Sequence, residues 1–122
     1  MSRIIKYWLP VVSYASFIFW VSSCDKLPGL ITPCIFLDKF FHLLEYTGFG
    51  FLLARAFQRY SFRKIIFSVV LTGLFYAIID EVHQYYVPHR DASFADIIFD
   101  VLGVYIGGRI YEICRTRVAK QK

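Results

Sequence analysis

The chain has 122 residues, 57% of them hydrophobic and 20% aromatic, with a mean hydropathy of +0.51 and a formal net charge of +5. That length leaves no room for a second domain beside the four apolar runs it carries. The basic balance does not mark a nucleic-acid binder, because the Lys and Arg residues cluster beside apolar runs, as anchors at an anionic inner leaflet would, and no nucleic-acid fingerprint interleaves them.

The runs cover about residues 6–23, 40–57, 65–87 and 94–113. Each is near the ~20 residues that span ~30 Å of hydrocarbon. Run one has no charge between Lys6 and Asp25, and Pro10 is tolerable in its first turns. Its end, Val21-Ser22-Ser23-Cys24, imitates a lipoprotein signal with a lipidated cysteine. The apolar stretch is long for a signal core, and Trp8 and Trp20 bracket it as interfacial anchors do, so a span is expected. Loop 24–37 holds the breakers Pro28, Gly29 and Pro33, with apolar Leu30, Ile31, Ile35, Phe36 and Leu37 expected at the interface. Cys24 and Cys34 share this loop and can pair in an oxidising compartment, although three free thiols, with Cys114 facing the cytoplasm, is the plainer reading. Run two opens at Asp38, a residue that can cap a helix and complement its dipole. Run three follows the basic patch 55–64 and stops at Pro88. Run four opens at Ser93, with Asp96 three residues on as in a capping box. Gly103 and Gly107 form a GxxxG, a close-packing surface inside a membrane and a candidate surface for a homo- or hetero-oligomer.

Acids and bases are sorted between alternate gaps. Eleven of the 14 Lys and Arg precede run one, separate runs two and three, or end the chain, while eight of the nine acids lie in or near the other two gaps. The positive-inside rule turns that sorting into a topology. The expectation is an all-α integral membrane four-helix bundle, residues 1–122 as a single domain, with N and C termini cytoplasmic, multi-pass in a prokaryotic inner or plasma membrane.

Three runs also carry a polar stripe. At 100° per residue, Asp38, His42, Glu45 and Tyr46 share one face of run two. Gly73, Tyr76, Asp80 and Gln84 share one of run three, with Glu81 beside it and His83 on the other flank. Ser93, Asp96, Asp100, Gly103 and Gly107 line up on run four. With a rise of about 1.5 Å per residue, Glu45, Asp80 and Asp100 each fall roughly 10 Å inside the outer boundary. Carboxylates at that depth cost a few kcal/mol each on insertion scales, and such residues are functional candidates. Lys39, His42, His83 and Arg90 are available to pair with them. Tyr46 and Tyr76 read as core or interfacial tyrosines, and Tyr85 and Tyr86 as boundary anchors.

These residues resemble the VanZ-like family. The stretch Asp38-Lys39-Phe40-Phe41-His42, with Tyr46 beyond it, is similar to that family's DK-x-x-H-x-x-x-Y element. Asp80-Glu81-Val82-His83-Gln84, then Pro88-His89-Arg90, Ser93 and Asp96, resembles DE-x-x-Q, P-G-R and S-x-x-D. Asp100, Gly103 and Gly107 follow N-x-x-G-x-x-x-G with Asp in place of Asn, and His89 stands where the family usually has Gly. The likeness covers about residues 5–110. It implies a membrane bundle, and the family takes its name from a protein conferring low-level resistance to teicoplanin, a lipoglycopeptide that binds cell-wall precursors.

The leading expectation is an outer, acidic pocket binding a polar envelope ligand: a lipid headgroup, a cell-wall precursor or a lipoglycopeptide. Its candidate residues are Asp38, Lys39, His42, Glu45, Asp80, Glu81, Gln84, Arg90, Asp96 and Asp100, with Arg90 placed at the rim for a phosphate or carboxylate. This reading needs no cofactor. A second is a membrane-embedded enzyme on a lipid-linked substrate, with Glu45 or His42 as general base and Asp80, Glu81, Asp96 and Asp100 holding Mg²⁺ or Mn²⁺. A third is an accessory partner of another membrane protein.

Overall fold

The computed structural model describes residues 3–24, 35–88, 90 and 92–121. Four helices follow one another, α1 (Arg3–Ser23), α2 (Ile35–Ala56), α3 (Phe62–Tyr85) and α4 (Phe94–Lys120), with no strand among the described residues. Each expected run is a helix, but the bounds differ for physical reasons. Helix α2 starts at Ile35, so Asp38 lies in its first turn, where it complements the dipole but is not the cap. Helix α3 starts at Phe62 and takes Arg63 and Lys64 into its first turn. It closes at Tyr85, and the chain then tightens through Tyr86 N–H to His83 O and Val87 N–H to Gln84 O, each 3.0 Å. Helix α4 continues seven residues past the apolar run, because Arg115, Arg117 and Lys120 are good helix formers and favour a C-terminal turn.

Ser93 caps α4 as expected, its hydroxyl accepting from Ala95 N–H at 3.2 Å. The reciprocal half of the capping box is not made by Asp96. Glu81 of α3 accepts from Ser93 N–H at 2.8 Å instead, which frees Asp96 for another partner. Ser93→Ala should therefore cost about 1 kcal/mol, the usual worth of such a cap; chemical denaturation of the purified protein would measure it.

The tightest helix pair is α2 with α4, and α3 packs on α4 next. Helix α1 rests on α2 and α3 and makes no contact with α4 among the described residues, so α1 and α4 occupy opposite corners. Glycines permit the α2–α4 approach. A Cβ added at Gly103 would lie 2.5 Å from Leu43 O, and one at Gly107 would overlap the Thr47 carbonyl. Val104, between them, fits where Gly50 of α2 and Gly73 of α3 leave space. The GxxxG face considered for an oligomer is thus filled by α2 of the same chain, and a partner would need another surface.

The apolar core combines Val11 and Ile18 of α1 with Tyr46, Phe49 and Leu53 of α2, Ile65, Val69 and Ala77 of α3, and Val104 of α4. Trp8 meets Phe57 edge-on at 5.2 Å at the end where Arg55, Arg59, Arg63 and Lys64 gather. The outer surface is apolar: Phe67, Phe75 and Phe94 are 69%, 67% and 77% exposed. Meanwhile Asp80, Asp96 and Asp100 are 1%, 1% and 0% exposed. Two helical segments, Ile4–Ser23 and Arg63–Tyr85, are long and apolar enough to cross a membrane; the buried acids lie on α3, at Asp80 and Glu81, and on α4, at Asp96, Asp100 and Glu112. The proposed Cys24–Cys34 pairing, the loop residues Leu30 and Ile31, and the His89 substitution lie outside the described residues. Cys24 itself directly follows α1, its thiol donating to Trp20 O at 3.3 Å.

Candidate functional site

The polar stripes of α2, α3 and α4 converge at the end of the bundle opposite the basic patch. Helical spacing accounts for this. Lys39, His42 and Tyr46 stand three or four residues apart on α2, and Asp80 and Gln84 do so on α3, as do Asp96 and Asp100 on α4. The paired faces then settle which residues meet.

Lys39 donates to Asp96 in a close ion pair and lies 3.5 Å from Asp38. One turn deeper, His42 Nδ1 is 2.9 Å from Asp100 Oδ1. Deeper on α2, the Tyr46 hydroxyl donates to Asp80 Oδ2 at 3.2 Å, and Tyr46 is fully buried. Gln84 bridges that carboxylate to α1, its Nε2 donating to Asp80 Oδ2 at 3.3 Å and to Ser22 Oγ at 3.2 Å. Glu81 holds the start of α4 through Ser93. Glu45 is half-buried and within electrostatic reach of His42, Asp80, Asp100 and Arg90.

Nine of the ten candidate residues therefore belong to one connected layer. Arg90 lies at its edge in a different role from the one expected. Its Nη2 donates to Val21 O at 2.8 Å and its Nε to Cys24 O at 3.2 Å, so the guanidinium caps the C-terminal carbonyls of α1. His83 also turns to α1, stacking on Phe19 at 4.1 Å with Nε2 2.9 Å from Ser23 Oγ. Tyr76 donates to Ala15 O at 2.6 Å. Tyr46, which helical spacing puts on the polar face of α2 and which also reads as a core tyrosine, joins the network through Asp80, and so does Ser22 through Gln84, a residue that nothing in the apolar run marks.

Four buried carboxylate oxygens have no hydrogen-bond partner among the described residues: Asp80 Oδ1, Glu81 Oε1, Asp100 Oδ2 and Glu112 Oε1. The first three belong to this layer; Glu112 lies at the basic end, 3.6 Å from Arg115. Two trios bring possible metal-ligand atoms within 4.8 Å of one another, Asp38–His42–Asp96 and His42–Glu81–Asp100. The set expected from sequence, Asp80, Glu81, Asp96 and Asp100, is divided instead: Asp80 faces Tyr46 and Gln84, and Asp96 faces Lys39.

Beside this layer, between the C-terminal end of α3 and the N-terminal end of α4, an open groove of about 410 Å³ is lined by Ile78, Val82, Tyr85, Tyr86, Phe94 and Ile97, with Glu81 and Ser93 at its polar side. An apolar channel leading to a carboxylate suits an amphipathic molecule, with its tail along the helices and its polar end at the acids. No curated protein and no solved structure matches the chain. The family model VanZ/LLP1 matches residues 2–115, nearly the whole chain, and with the DK-x-x-H, DE-x-x-Q and GxxxG residues placed on adjoining faces, the chain belongs to the VanZ/LLP1 family.

Proposed function

We propose that this is a four-pass protein of a prokaryotic inner or plasma membrane, with both termini cytoplasmic, that holds the polar headgroup of an envelope lipid or lipid-linked ligand in the outer half of the bilayer. The observation that carries the reading is the convergence of nine polar side chains from α2, α3 and α4 beside an apolar groove open to the bundle's exterior. The inside-out burial, acids within and phenylalanines without, supports hydrocarbon as the surrounding medium. So does the placement of Arg63 and Lys64, which oppose the α3 macrodipole and are better explained by membrane sidedness than by helix stability.

The layer offers mostly acceptors, and its cations Lys39 and Arg90 are already engaged. The ligand is accordingly one that donates, through ammonium, hydroxyl or amide groups. Family membership extends the proposal to teicoplanin-type resistance through a ligand of the cell-wall pathway. The alternative of a metal-assisted enzyme on a lipid-linked substrate draws on the His42–Glu81–Asp100 trio.

Cells expressing the protein at matched membrane levels should survive higher teicoplanin concentrations than cells without it. The purified protein should carry a lipid identifiable by mass spectrometry. Glu45→Gln removes one charge from the layer, and Val82→Trp fills the groove at an exposed position; each should lower protection and lipid retention at least tenfold. Wild type that neither protects nor retains a lipid, or variants indistinguishable from it in both assays, would overturn the proposal.

A further inference from the structure

We infer that His42, Glu81 and Asp100 form a binding site for one divalent transition-metal ion, of the Zn²⁺ or Mn²⁺ class. Three observations carry this. The ligand atoms lie within 4.8 Å of one another, contributed by three different helices. All three residues are buried, at 7%, 5% and 0% exposure. Glu81 Oε1 and Asp100 Oδ2 are without a hydrogen-bond partner among the described residues, although carboxylate oxygens buried at this depth are ordinarily satisfied.

Charge makes the case stronger than proximity alone. Two carboxylates and one neutral imidazole carry −2, and a dication brings that set to zero, the total that a low-dielectric interior favours. The hydrogen bonds in the layer do not accomplish this. Glu81 receives only a backbone N–H, and Asp100 shares His42 with the rest of the network. The neighbouring trio Asp38–His42–Asp96 is a poorer candidate, because Lys39 already neutralises Asp96 and lies 3.5 Å from Asp38; an ion there would face a resident cation.

The donor set selects the metal. One nitrogen and two carboxylate oxygens suit Zn²⁺ or Mn²⁺ better than Ca²⁺ or Mg²⁺, which favour all-oxygen shells. Bonds of about 2.0–2.2 Å require ligand atoms somewhat closer together than 4.8 Å, an adjustment within reach of side-chain rotation. Three protein ligands leave at least one coordination position for water or a ligand oxygen. Glu81 also lines the α3–α4 groove, so the ion would sit at the groove's polar end. The inference does not depend on the lipid-binding proposal, since the ion is counted without any lipid present.

The test uses the full chain in detergent, stripped with chelator and titrated calorimetrically with ZnCl₂ and, separately, MnCl₂. One ion per chain is expected for at least one metal, and X-ray absorption should show a mixed nitrogen and oxygen shell. Asp100→Asn and Glu81→Gln should each weaken binding by tenfold or more, whereas Glu112→Gln, a buried acid at the other end of the bundle, should leave it unchanged. In chelator, Asp100→Asn should melt no lower than wild type, which separates loss of a ligand from loss of fold. Wild type that takes up neither ion at one per chain would overturn the inference, as would binding that Asp100→Asn and Glu81→Gln leave intact.

Discussion

Gly107→Leu should leave no monodisperse protein after extraction, whereas Gly108→Ala, one residue along, should purify and melt close to wild type. The contrast follows from what each position faces. A Cβ at Gly107 would run into the Thr47 carbonyl and approach Phe51 N at 2.7 Å, both of them α2 backbone that cannot rotate away. At Gly108 the nearest atoms are the ends of Ile66 and Val69 side chains, at 3.2 and 3.4 Å, which can yield. The α2–α4 pair is the tightest in the bundle, so forcing it apart removes packing along much of both helices. Size-exclusion chromatography in a mild detergent, followed by thermal melting, reads the outcome. A Gly107→Leu protein as stable as wild type would mean that α2 and α4 do not meet along this seam.

The second large effect concerns Lys39. Lys39→Met should destabilise the protein by about 3–5 kcal/mol, the range found when one partner of a buried pair is removed. The Asp96 side chain is 2% exposed and that of Lys39 14%, so the carboxylate left behind has little water to turn to. Adding Asp96→Asn should recover most of the loss, because the orphaned charge is gone. Reversible unfolding of wild type, both single variants and the double variant supplies the coupling energy directly. A double variant no more stable than Lys39→Met would show that Lys39 acts through packing of its stem and not through charge.

Much of this arrangement was legible in the residues. Four apolar runs became four helices, Ser93 became a cap, and the stripes on α2, α3 and α4 met as helical periodicity required. What escaped was decided by tertiary contact. The apolar pattern ended near residue 113, yet α4 continues, because hydrophobicity marks a span while helix propensity marks a helix. Asp96 has the position for a capping box, but Glu81 from another helix took that task and left Asp96 to Lys39. Arg90 looked like a rim residue awaiting an anion. Its partners are the last carbonyls of α1, 66 and 69 residues earlier in the chain, and no local pattern announces such a pairing. Gly103 and Gly107 were recognisable as a contact surface, but a repeat of small residues does not say whether its complement lies in the same chain or another.

The way α1 is attached has a mechanical consequence. Backbone meets backbone between α2 and α4, with no slack for sliding. Helix α1 is fastened differently, through side chains reaching across to it: Tyr76 to Ala15, Gln84 to Ser22, His83 to Ser23, and Arg90 to Val21 and Cys24. Such fastenings can be exchanged one by one for water or a ligand, whereas a glycine seam yields only all at once. The α2–α4 pair is therefore the rigid seam of the bundle, and α1, which makes no contact with α4 among the described residues, is held against it by apolar packing on α2 and by these exchangeable side-chain bonds.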